Sequence, residues 1–142
     1  MSIFLTQTDT TVGFLSQDAK HLASLKGRDE DKPFLKVFAS LSLLKERYRV
    51  PVKYRSWVRH AKKTTFVIQN NAIRYVRDPH HAHLIAPYGW LYSTSANQSG
   101  HEYDPQFCHT HADRIIEDKR GFFTAPASTI VRITPTQSQK LR

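Results

Sequence analysis

The stretch "LASLKGRDEDKPFLKVF" (residues 22–38) is the most informative part of the chain, because it joins the end of a helix directly to a strand. Apolar residues before Gly27 recur every three or four positions, as on one face of a helix. Gly27 stands where a C-terminal cap belongs, and Ser16 is a candidate N-cap. Pro33 opens the following apolar run, where a strand loses least from a missing N–H. The stretch predicts an α-to-β junction.

Short strands and helices are predicted on both sides of this junction. Upstream, the strand "SIFLTQ" (2–7) is followed by a loop over "TDTTVGF" (8–14). Downstream, helices are expected after Ser40 and after Pro51, and two strands form a hairpin across Asn70-Asn71. The last expected elements are a helix over "HHAHLIA" (80–86), a strand within "WLYSTSANQSG" (90–100), an irregular segment (101–126) with only "RII" strand-like, and a final strand "ASTIVRIT" (127–134).

Strands that are joined sometimes by helices and sometimes by tight turns indicate a mixed sheet. We therefore predict an α/β protein with a twisted, open, parallel and antiparallel sheet and flanking helices. The helices should lie mainly on one face and leave a concave basic face opposite. At 142 residues the chain is expected to form a single domain over residues 1–142.

The charge balance favours polyanionic partners, because 21 Lys and Arg stand against 12 Asp and Glu and give a net charge of +9. Basic residues extend from Lys20 to Arg142, so a nucleic-acid surface and a merely solubilising surface stay equally open. No stretch approaches the roughly 20 apolar residues of a membrane span, and the N-terminus lacks the pattern of a signal peptide. Together with a single cysteine, Cys108, this predicts a cytoplasmic protein with no membrane partner.

Three small-polar loops lie next to predicted strands, over "TDTTVG" (8–13), "STSANQSG" (93–100) and "APAST" (125–129). Open α/β sheets bind ligands at strand ends, and such loops let backbone N–H groups approach phosphate oxygens. Lys26 and Arg28 could neutralise those phosphates. The plain alternative is that both cations offset the helix dipole, which is worth typically about 0.3–1 kcal/mol. No Walker or dinucleotide-binding glycine pattern occurs in the sequence.

Four stretches, in their order along the chain, resemble the YrdC-like threonylcarbamoyl-adenylate synthases. They match the family's first-strand loop, Lys-x-Arg element, Ser-x-Asn element and final strand: "TDTTVGF" (8–14), "KGRDEDKPF" (26–34), "TSANQSG" (94–100) and "STIV" (128–131). Thr65 and "RDP" (77–79) are weaker matches. The family usually has a proline at Gln7, a tyrosine at Val12 and Pro-Gly-Pro at "AKK" (61–63). The resemblance covers most of the chain and implies a YrdC-like fold.

The resemblance also implies an activity. The family makes L-threonylcarbamoyl-adenylate from L-threonine, bicarbonate and ATP, with Mg²⁺ bound to the ATP substrate. This nucleotidyltransferase reaction supplies the threonylcarbamoyladenosine modification of tRNA, so tRNA or another RNA and tRNA-modification proteins are the implied partners. The alternative is a non-catalytic relative that binds RNA or nucleotide in the same basic cleft.

The resemblance assigns residues to two groups. ATP binding is assigned to Lys26, Arg28, Lys32, Thr65, Ser95 and Asn97. Binding of threonine or its carbamate is assigned to Thr8, Thr10, Arg77 and Ser128. No side chain is needed as a covalent nucleophile, and none is expected to ligate a metal.

The environment of several side chains is predicted as well. Lys26 and Arg28 should be at least partly exposed, since both are expected to meet a ligand. The histidines of "HHAHLIA" (80–86) are expected on the surface, because their spacing does not suit a structural zinc site. The aromatic residues of the apolar stripes are expected in the core: Trp57, Phe66, Tyr75 and Trp90.

Overall fold

The computed structural model describes residues 2–142, so Met1 of the predicted domain lies outside the described residues. These residues form nine strands, five α-helices and two short 3₁₀ turns. The strands are β1 (Phe4–Gln7), β2 (Val12–Ser16), β3 (Leu35–Phe38), β4 (Thr64–Ile68), β5 (Asn71–Tyr75), β6 (Trp90–Ser95), β7 (Arg114–Ile116), β8 (Thr129–Ile133) and β9 (Ser138–Lys140). The helices are α1 (Ala19–Lys26), α2 (Leu41–Arg47), α3 (Arg55–His60), α4 (Pro79–Ile85) and α5 (Pro105–His111), and the 3₁₀ turns are Val52–Tyr54 and Ala86–Tyr88.

All nine strands join in one sheet, in the order β7-β1-β2-β6-β3-β5-β4-β8-β9 among the described residues. The pairs β1–β7, β3–β5 and β4–β8 are parallel. The other five pairs are antiparallel. The predicted mixed sheet with flanking helices is therefore confirmed. None of the helices that residues 2–142 form has the length and apolar character required to cross a membrane.

One face of the sheet is covered by four helices in two groups. Near β1 and β2, the buried residues Leu5 and Phe14 pack with Leu22 of α1 and Cys108 of α5. Near β3, β4 and β5, a second cluster is buried beneath α2 and α3: Phe38, Phe66 and Ile73 with Leu44 and Val58. Because paired strand residues point to the same face, the registers of β1 to β6 place both clusters on one side.

The opposite face carries one helix and an open area. Ile85 of α4 packs over Leu15, Val37 and Leu91 on the strands below. Beyond α4 this face is uncovered along β5, β4 and β8, and its side chains line a cleft. The sheet therefore has one side covered by four helices and one side with an open area, as predicted. The basic character of the open side stays a prediction.

Two elements differ from the prediction at the first loop and helix. Strand β2 begins at Val12, within the expected loop (8–14), and the run to Ser16 is fully buried and lacks the polar alternation of a surface strand. The N-cap of α1 is Asp18, whose Oδ1 accepts a hydrogen bond from the N–H of His21 (3.1 Å). Ser16 is buried in β2, and its hydroxyl accepts from the N–H of Asp18 (3.0 Å).

The predicted irregular segment also contains a helix. Asp104 caps α5, and Pro105 occupies its first turn. These start signals are present in the sequence, but Cys108 alone is buried among the seven helical residues, so the apolar periodicity is too weak to detect. A further strand, β9, follows the predicted last strand. The hairpin turn is Gln69-Asn70, one residue before the predicted pair, and both residues have positive φ.

Candidate functional site

The cleft on the open face has two compartments that share Thr8 and Thr10. The inner compartment is a cavity of about 400 Å³ over the sheet, and the outer compartment is a cavity of about 510 Å³ near the start of α4. Charged and hydroxyl side chains line the inner compartment: Arg28, Thr65, Arg74, Ser93, Ser95, Ser128 and Arg142. The outer compartment is lined by Asp9, Lys62, Lys63, Arg77, Asp78 and Arg120, with Tyr75 and Phe123 as apolar walls.

Lys26 joins the Lys-x-Arg element to the Ser-x-Asn element. Gly27, with φ of +65°, ends α1 and directs the chain away, while the Lys26 side chain extends toward β6. Its Nζ donates hydrogen bonds to the Ser95 carbonyl (2.8 Å) and to Asn97 Oδ1 (3.1 Å). Burial, aided by the charge of Arg28, lowers the pKa of Lys26 to about 8. The prediction that Lys26 is partly exposed is wrong, because the side chain is only 4% exposed behind the cleft wall.

Ser95 and Asn97 play different parts in this arrangement. The Ser95 hydroxyl donates to Asn97 Oδ1 and lines the inner compartment. The Asn97 Nδ2 donates to the carbonyls of Gln98 (2.8 Å) and His101 (2.7 Å), so this amide holds the loop and the Lys26 ammonium. Ser95 therefore faces the cavity, whereas Asn97 lies behind it.

Arg28 is partly exposed and lines the inner compartment. Its Nη2 donates to the Pro33 carbonyl (2.7 Å), and its guanidinium lies 4.5 Å from the centre of the Phe34 ring. Within residues 2–142, the buried Arg28 Nε has no hydrogen-bond partner. The rest of the Arg28 guanidinium is partly exposed, so this cation is suited to an anion that enters the cavity.

The floor of the inner compartment is a chain of hydrogen bonds. Thr65 and Ser128 hydroxyls lie 2.8 Å apart, and Arg74 donates to the Thr65 hydroxyl from Nε (3.3 Å) and Nη2 (3.1 Å). At the other end, Arg142 donates from Nε to the Ser128 carbonyl (3.0 Å). Thr65 and Ser128, which the resemblance assigned to different ligands, therefore touch each other at the base of one cavity.

An ion pair between the buried Arg74 and the partly buried Asp9 separates the two compartments. Arg74 Nη1 lies 2.6 Å from Asp9 Oδ1, and the His81 Nδ1 accepts a hydrogen bond from the Asp9 N–H (3.3 Å). Burial alone would raise the pKa of Asp9, but the contacts with His81 and Arg74 outweigh it and hold this pKa below its usual value. The predicted surface position of His81 is wrong, because α4 buries His81 on the same side as Ile85, four residues later.

The first-strand loop is closed by its own side chains. Thr8 Oγ1 accepts from the Thr10 N–H (3.1 Å) and donates to the Thr11 carbonyl (2.6 Å). Gln7, which replaces the family's proline, donates to the Thr10 carbonyl (3.0 Å) and accepts from the Phe123 N–H (2.9 Å). Gln7 therefore fixes both the loop and the segment that borders the outer compartment.

Val12, which replaces the family's tyrosine, lies in the core, where it packs with Phe14 and Leu22. The side of the outer compartment instead carries Phe123, whose carbonyl accepts from the Val12 N–H (3.1 Å). The aromatic wall of the cavity thus comes from a different part of the chain.

The structure brings most, but not all, of the predicted residues to the cleft. The inner compartment is lined by Thr8, Thr10, Arg28, Thr65, Ser95 and Ser128, and Arg77 lines the outer one. Lys32 is exposed and lines a neighbouring depression with Lys36 and Tyr92. Trp57, predicted in the core, is 41% exposed, with its ring edge against Phe66.

Sequence reasoning missed seven charged residues that line the cleft: Asp9, Lys62, Lys63, Arg74, Asp78, Arg120 and Arg142. Asp9 and Arg74 are 65 positions apart, so their pairing leaves no local pattern. The alternation of β5 offers a partial signal, because it puts Arg74 on the face opposite the buried Ile73. Nothing around Arg142 marks it as a cleft residue.

The arrangement suits the binding and positioning of an anionic ligand. Arg28, Arg74 and Arg142 supply positive charge in the inner compartment, and the threonine and serine hydroxyls supply neutral hydrogen bonds. Cys108 does not contribute a nucleophile: burial raises the pKa of its thiol to about 11, and its Sγ donates to the Ala96 carbonyl (3.2 Å).

No family model and no curated protein matches the chain, but solved structures do. Sua5 of P. abyssi, complexed with L-threonine, aligns with a TM-score of 0.83 and 19% identity, over 99% of this chain and 50% of Sua5. E. coli YciO aligns with a TM-score of 0.76 and 18% identity, over 99% of this chain and 82% of YciO. Full-length HypF, in a phosphate- and nucleotide-bound form, aligns with a TM-score of 0.78 and 13% identity, over 99% of this chain and 26% of HypF.

The chain therefore spans about half the length of the Sua5 structure that it matches. The likeness extends over 99% of the chain in each case, and it includes the mixed sheet described above. At these identities it shows a shared fold. The chain has the YrdC-like fold that its sequence predicted.

Proposed function

We propose that this chain, as one YrdC-like domain, catalyses ATP-dependent synthesis of L-threonylcarbamoyl-adenylate from L-threonine and bicarbonate. The observation that carries the proposal is the cleft itself, where Arg28, Thr65, Ser95 and Ser128 converge from four separate parts of the chain. Lys26 is bonded to Ser95 from behind the cleft wall. The solved Sua5 structure with L-threonine and the nucleotide-bound HypF structure support the ligand classes.

In this proposal the inner compartment holds the phosphates of ATP. The Arg28 guanidinium faces a phosphate oxygen, and Thr65 and Ser95 offer hydroxyl groups. Lys26 positions the loop that carries Ser95, because its ammonium donates hydrogen bonds to the Ser95 carbonyl and to Asn97. Lys32, from the neighbouring depression, would reach only the outer end of the triphosphate.

The outer compartment holds threonine and its carbamate. Arg77 pairs with a carboxylate there, and the loop residues Thr8 and Thr10 lie at the junction with the inner compartment. Ser128, at the base of the inner compartment, lies on the phosphate side of this junction. The two ligands would therefore meet beside Thr8 and Thr10, where the compartments are continuous.

The reaction follows from this placement. The threonine amine and bicarbonate give N-carboxythreonine and water, and a carbamate oxygen then attacks the α-phosphorus of ATP. A new oxygen–phosphorus bond forms, the bond to the β-phosphate bridge breaks, and pyrophosphate leaves with its Mg²⁺. Two anions must approach each other, so fixed cations and donors lower the barrier. The product would serve tRNA modification in the cytoplasm, together with partner proteins.

The test is pyrophosphate release from ATP and Mg²⁺, with threonine and bicarbonate omitted in turn. We expect release only when both are present. Arg28→Ala should lower the rate by roughly tenfold or more, since a charge-assisted contact contributes about 1.5–3 kcal/mol. Lys20→Ala, which removes an exposed cation of α1, is the matched control and should leave the rate unchanged. ATP binding without any release would place the chain in the non-catalytic alternative.

A further inference from the structure

The positive charge of the chain is concentrated in one segment. Residues 45–63 contain eight of the 21 Lys and Arg but one of the 12 Asp and Glu, so they account for seven of the nine net charges. All eight basic side chains are exposed. Within residues 2–142, none of the eight forms an ion pair. Basic residues extend from Lys20 to Arg142, but this segment carries most of the net charge.

Part of this segment borders a groove at the far end of the sheet from the cleft. The groove has a volume of about 790 Å³ and lies between the 3₁₀ turn after Pro51, the β4–β5 turn and the end of β8. Its cations are Arg49, Lys53 and Arg132, and among residues 2–142 no Asp or Glu lines it. We call this surface, with the amides of Gln69 and Asn70, the far groove.

The far groove is separate from the cleft. Ser128 precedes β8 at the cleft end, whereas Ile133 closes β8 at the groove end. Five residues of strand at about 3.3 Å each put roughly 16 Å between these points. A ligand in the far groove therefore need not touch a residue assigned to the proposed adenylate synthesis.

The backbone around the far groove is held by its own hydrogen bonds and turn geometry. Gln69 and Asn70 have φ of 48° and 65°, which fixes the tight turn, and Asn71 Nδ2 donates to the Gln69 carbonyl (3.0 Å). On the opposite wall, Lys53 Nζ donates to the Thr136 carbonyl (3.4 Å). The backbone that carries the cations is therefore held on both sides of the groove.

We propose that the far groove binds the phosphodiester backbone of a nucleic acid. Three exposed cations without a neighbouring carboxylate favour a ligand with several spaced negative charges, and the side-chain amides can bond to sugars or bases. Val52, 74% exposed beside these cations, offers one apolar contact to a sugar or base. This inference goes beyond the proposed adenylate synthesis, since it requires no residue of the cleft.

An anionic membrane is a less favoured ligand for the same cations. Peripheral binding usually requires an amphipathic helix with a broad apolar face. The helices of residues 2–142 have at most eight residues, and the exposed apolar side chains near the groove are Val52 and, on α3, Trp57. The surface is therefore charged without the apolar area that insertion into lipid requires.

The experiment measures anisotropy of a labelled 20-base-pair RNA duplex, and of a DNA duplex of equal length, from 50 to 200 mM KCl. The test variant is Arg49→Ala/Lys53→Ala/Arg132→Ala. The control variant, Lys20→Ala/Arg114→Ala/Lys119→Ala, has the same net charge as the test variant, but it lacks three exposed cations that lie outside the far groove. Thermal unfolding of each variant establishes that it folds, and phosphatidylserine vesicles form a separate arm.

We expect the test variant to bind roughly 100-fold more weakly at 0.1 M salt, since each lost phosphate contact costs about a factor of five. Its salt dependence, as the slope of log K against log[KCl], should fall by about one unit for each removed cation. The control variant should bind like the unmodified protein. Equal loss in both variants, absence of binding to either duplex, or binding to vesicles alone would overturn the proposal. The relative affinities of the two duplexes identify the nucleic acid.

Discussion

The inner compartment of the cleft and the far groove both carry basic residues, but the cations around the inner compartment are held by more side-chain contacts than those of the far groove. In the cleft, Arg74 is bonded to Asp9 and Lys26 to Ser95, so each charge has a fixed position. In the far groove, Arg49 is exposed and has no ion-pair partner among residues 2–142. A fixed, buried cation acts at one point, whereas an exposed cation is screened by salt and tolerates many ligand positions. The same side-chain types can therefore serve precise chemistry in one region and backbone binding in the other.

The largest effect should come from breaking the buried pair that defines the cleft. Arg74→Met leaves the Asp9 carboxylate buried without its cation, and we expect the free energy of unfolding to fall by about 3–5 kcal/mol. Adding Asp9→Asn removes the uncompensated charge and should restore a large part of that loss. Urea unfolding of the single and double variants measures both values. Equal stability of the two variants would show that the uncompensated Asp9 carboxylate is not what destabilises the Arg74→Met variant.

A smaller effect is expected where the cleft wall is tightly packed. A Cβ at Gly13 would lie 2.9 Å from the Thr94 carbonyl oxygen and 3.0 Å from Thr8 Cγ2. Because backbone on the neighbouring strand cannot shift freely, Gly13→Ala should destabilise the protein by about 1–3 kcal/mol. Ser24→Ala, on the exposed face of α1, should stay within about 0.5 kcal/mol of the unmodified protein. Unfolding by urea compares the pair, and an unaffected Gly13 variant would mean that this wall is loosely packed.

The titration of Lys26 should appear in both stability and ligand binding. Its pKa is lowered from 10.5 to about 8, so between these values the unfolded chain binds the proton and the folded chain does not. This group therefore makes the free energy of unfolding rise as pH increases from 8 to 10.5. As the pH rises through about 8, the folded protein loses the positive charge of Lys26 behind the cleft wall, and we expect ATP affinity to fall by roughly tenfold.

Lys26→Met should remove both pH dependences, and calorimetric ATP titration with urea unfolding from pH 7 to 10.5 measures them. A Lys26→Met variant with the pH profile of the unmodified protein would assign the titration to another group.

The smallest effect is expected at the rim of the far groove. Val52 is 74% exposed, so Val52→Ser should change the free energy of unfolding by no more than about 0.5 kcal/mol. RNA affinity should fall slightly, with the salt slope unchanged, because no phosphate contact is lost. Anisotropy at two salt concentrations checks this, and a changed slope would contradict the role given to Val52.

The sequence predicted the features that depend on local chemistry. Gly27 ends α1, the hairpin turns within one residue of Asn70-Asn71, and the strands form a mixed sheet. Local signals could not reveal the ion pair of Arg74, because its partner, Asp9, lies in the distant loop between β1 and β2. The buried state of Lys26 was equally hidden, since it depends on how the loop after β6 folds back onto α1.

Other features were readable but overlooked. His81 and Ile85 are four residues apart, a spacing that places both on one side of α4. The basic excess of residues 45–63 is visible by counting charges in windows along the chain. Counting charges cannot predict the far groove itself, because its third cation, Arg132, comes from the distant strand β8.

The most direct test of the account is to follow ¹³C-bicarbonate into product by mass spectrometry, with ATP, Mg²⁺ and L-threonine. We predict that the unmodified protein and Arg49→Ala/Lys53→Ala/Arg132→Ala both form labelled threonylcarbamoyl-adenylate. The amount of product formed by Arg28→Ala should be lower by roughly tenfold or more. That outcome would separate a catalytic cleft from a far groove that the chemistry does not need. Absence of labelled product from the unmodified protein, or undiminished product from Arg28→Ala, would contradict the central claim.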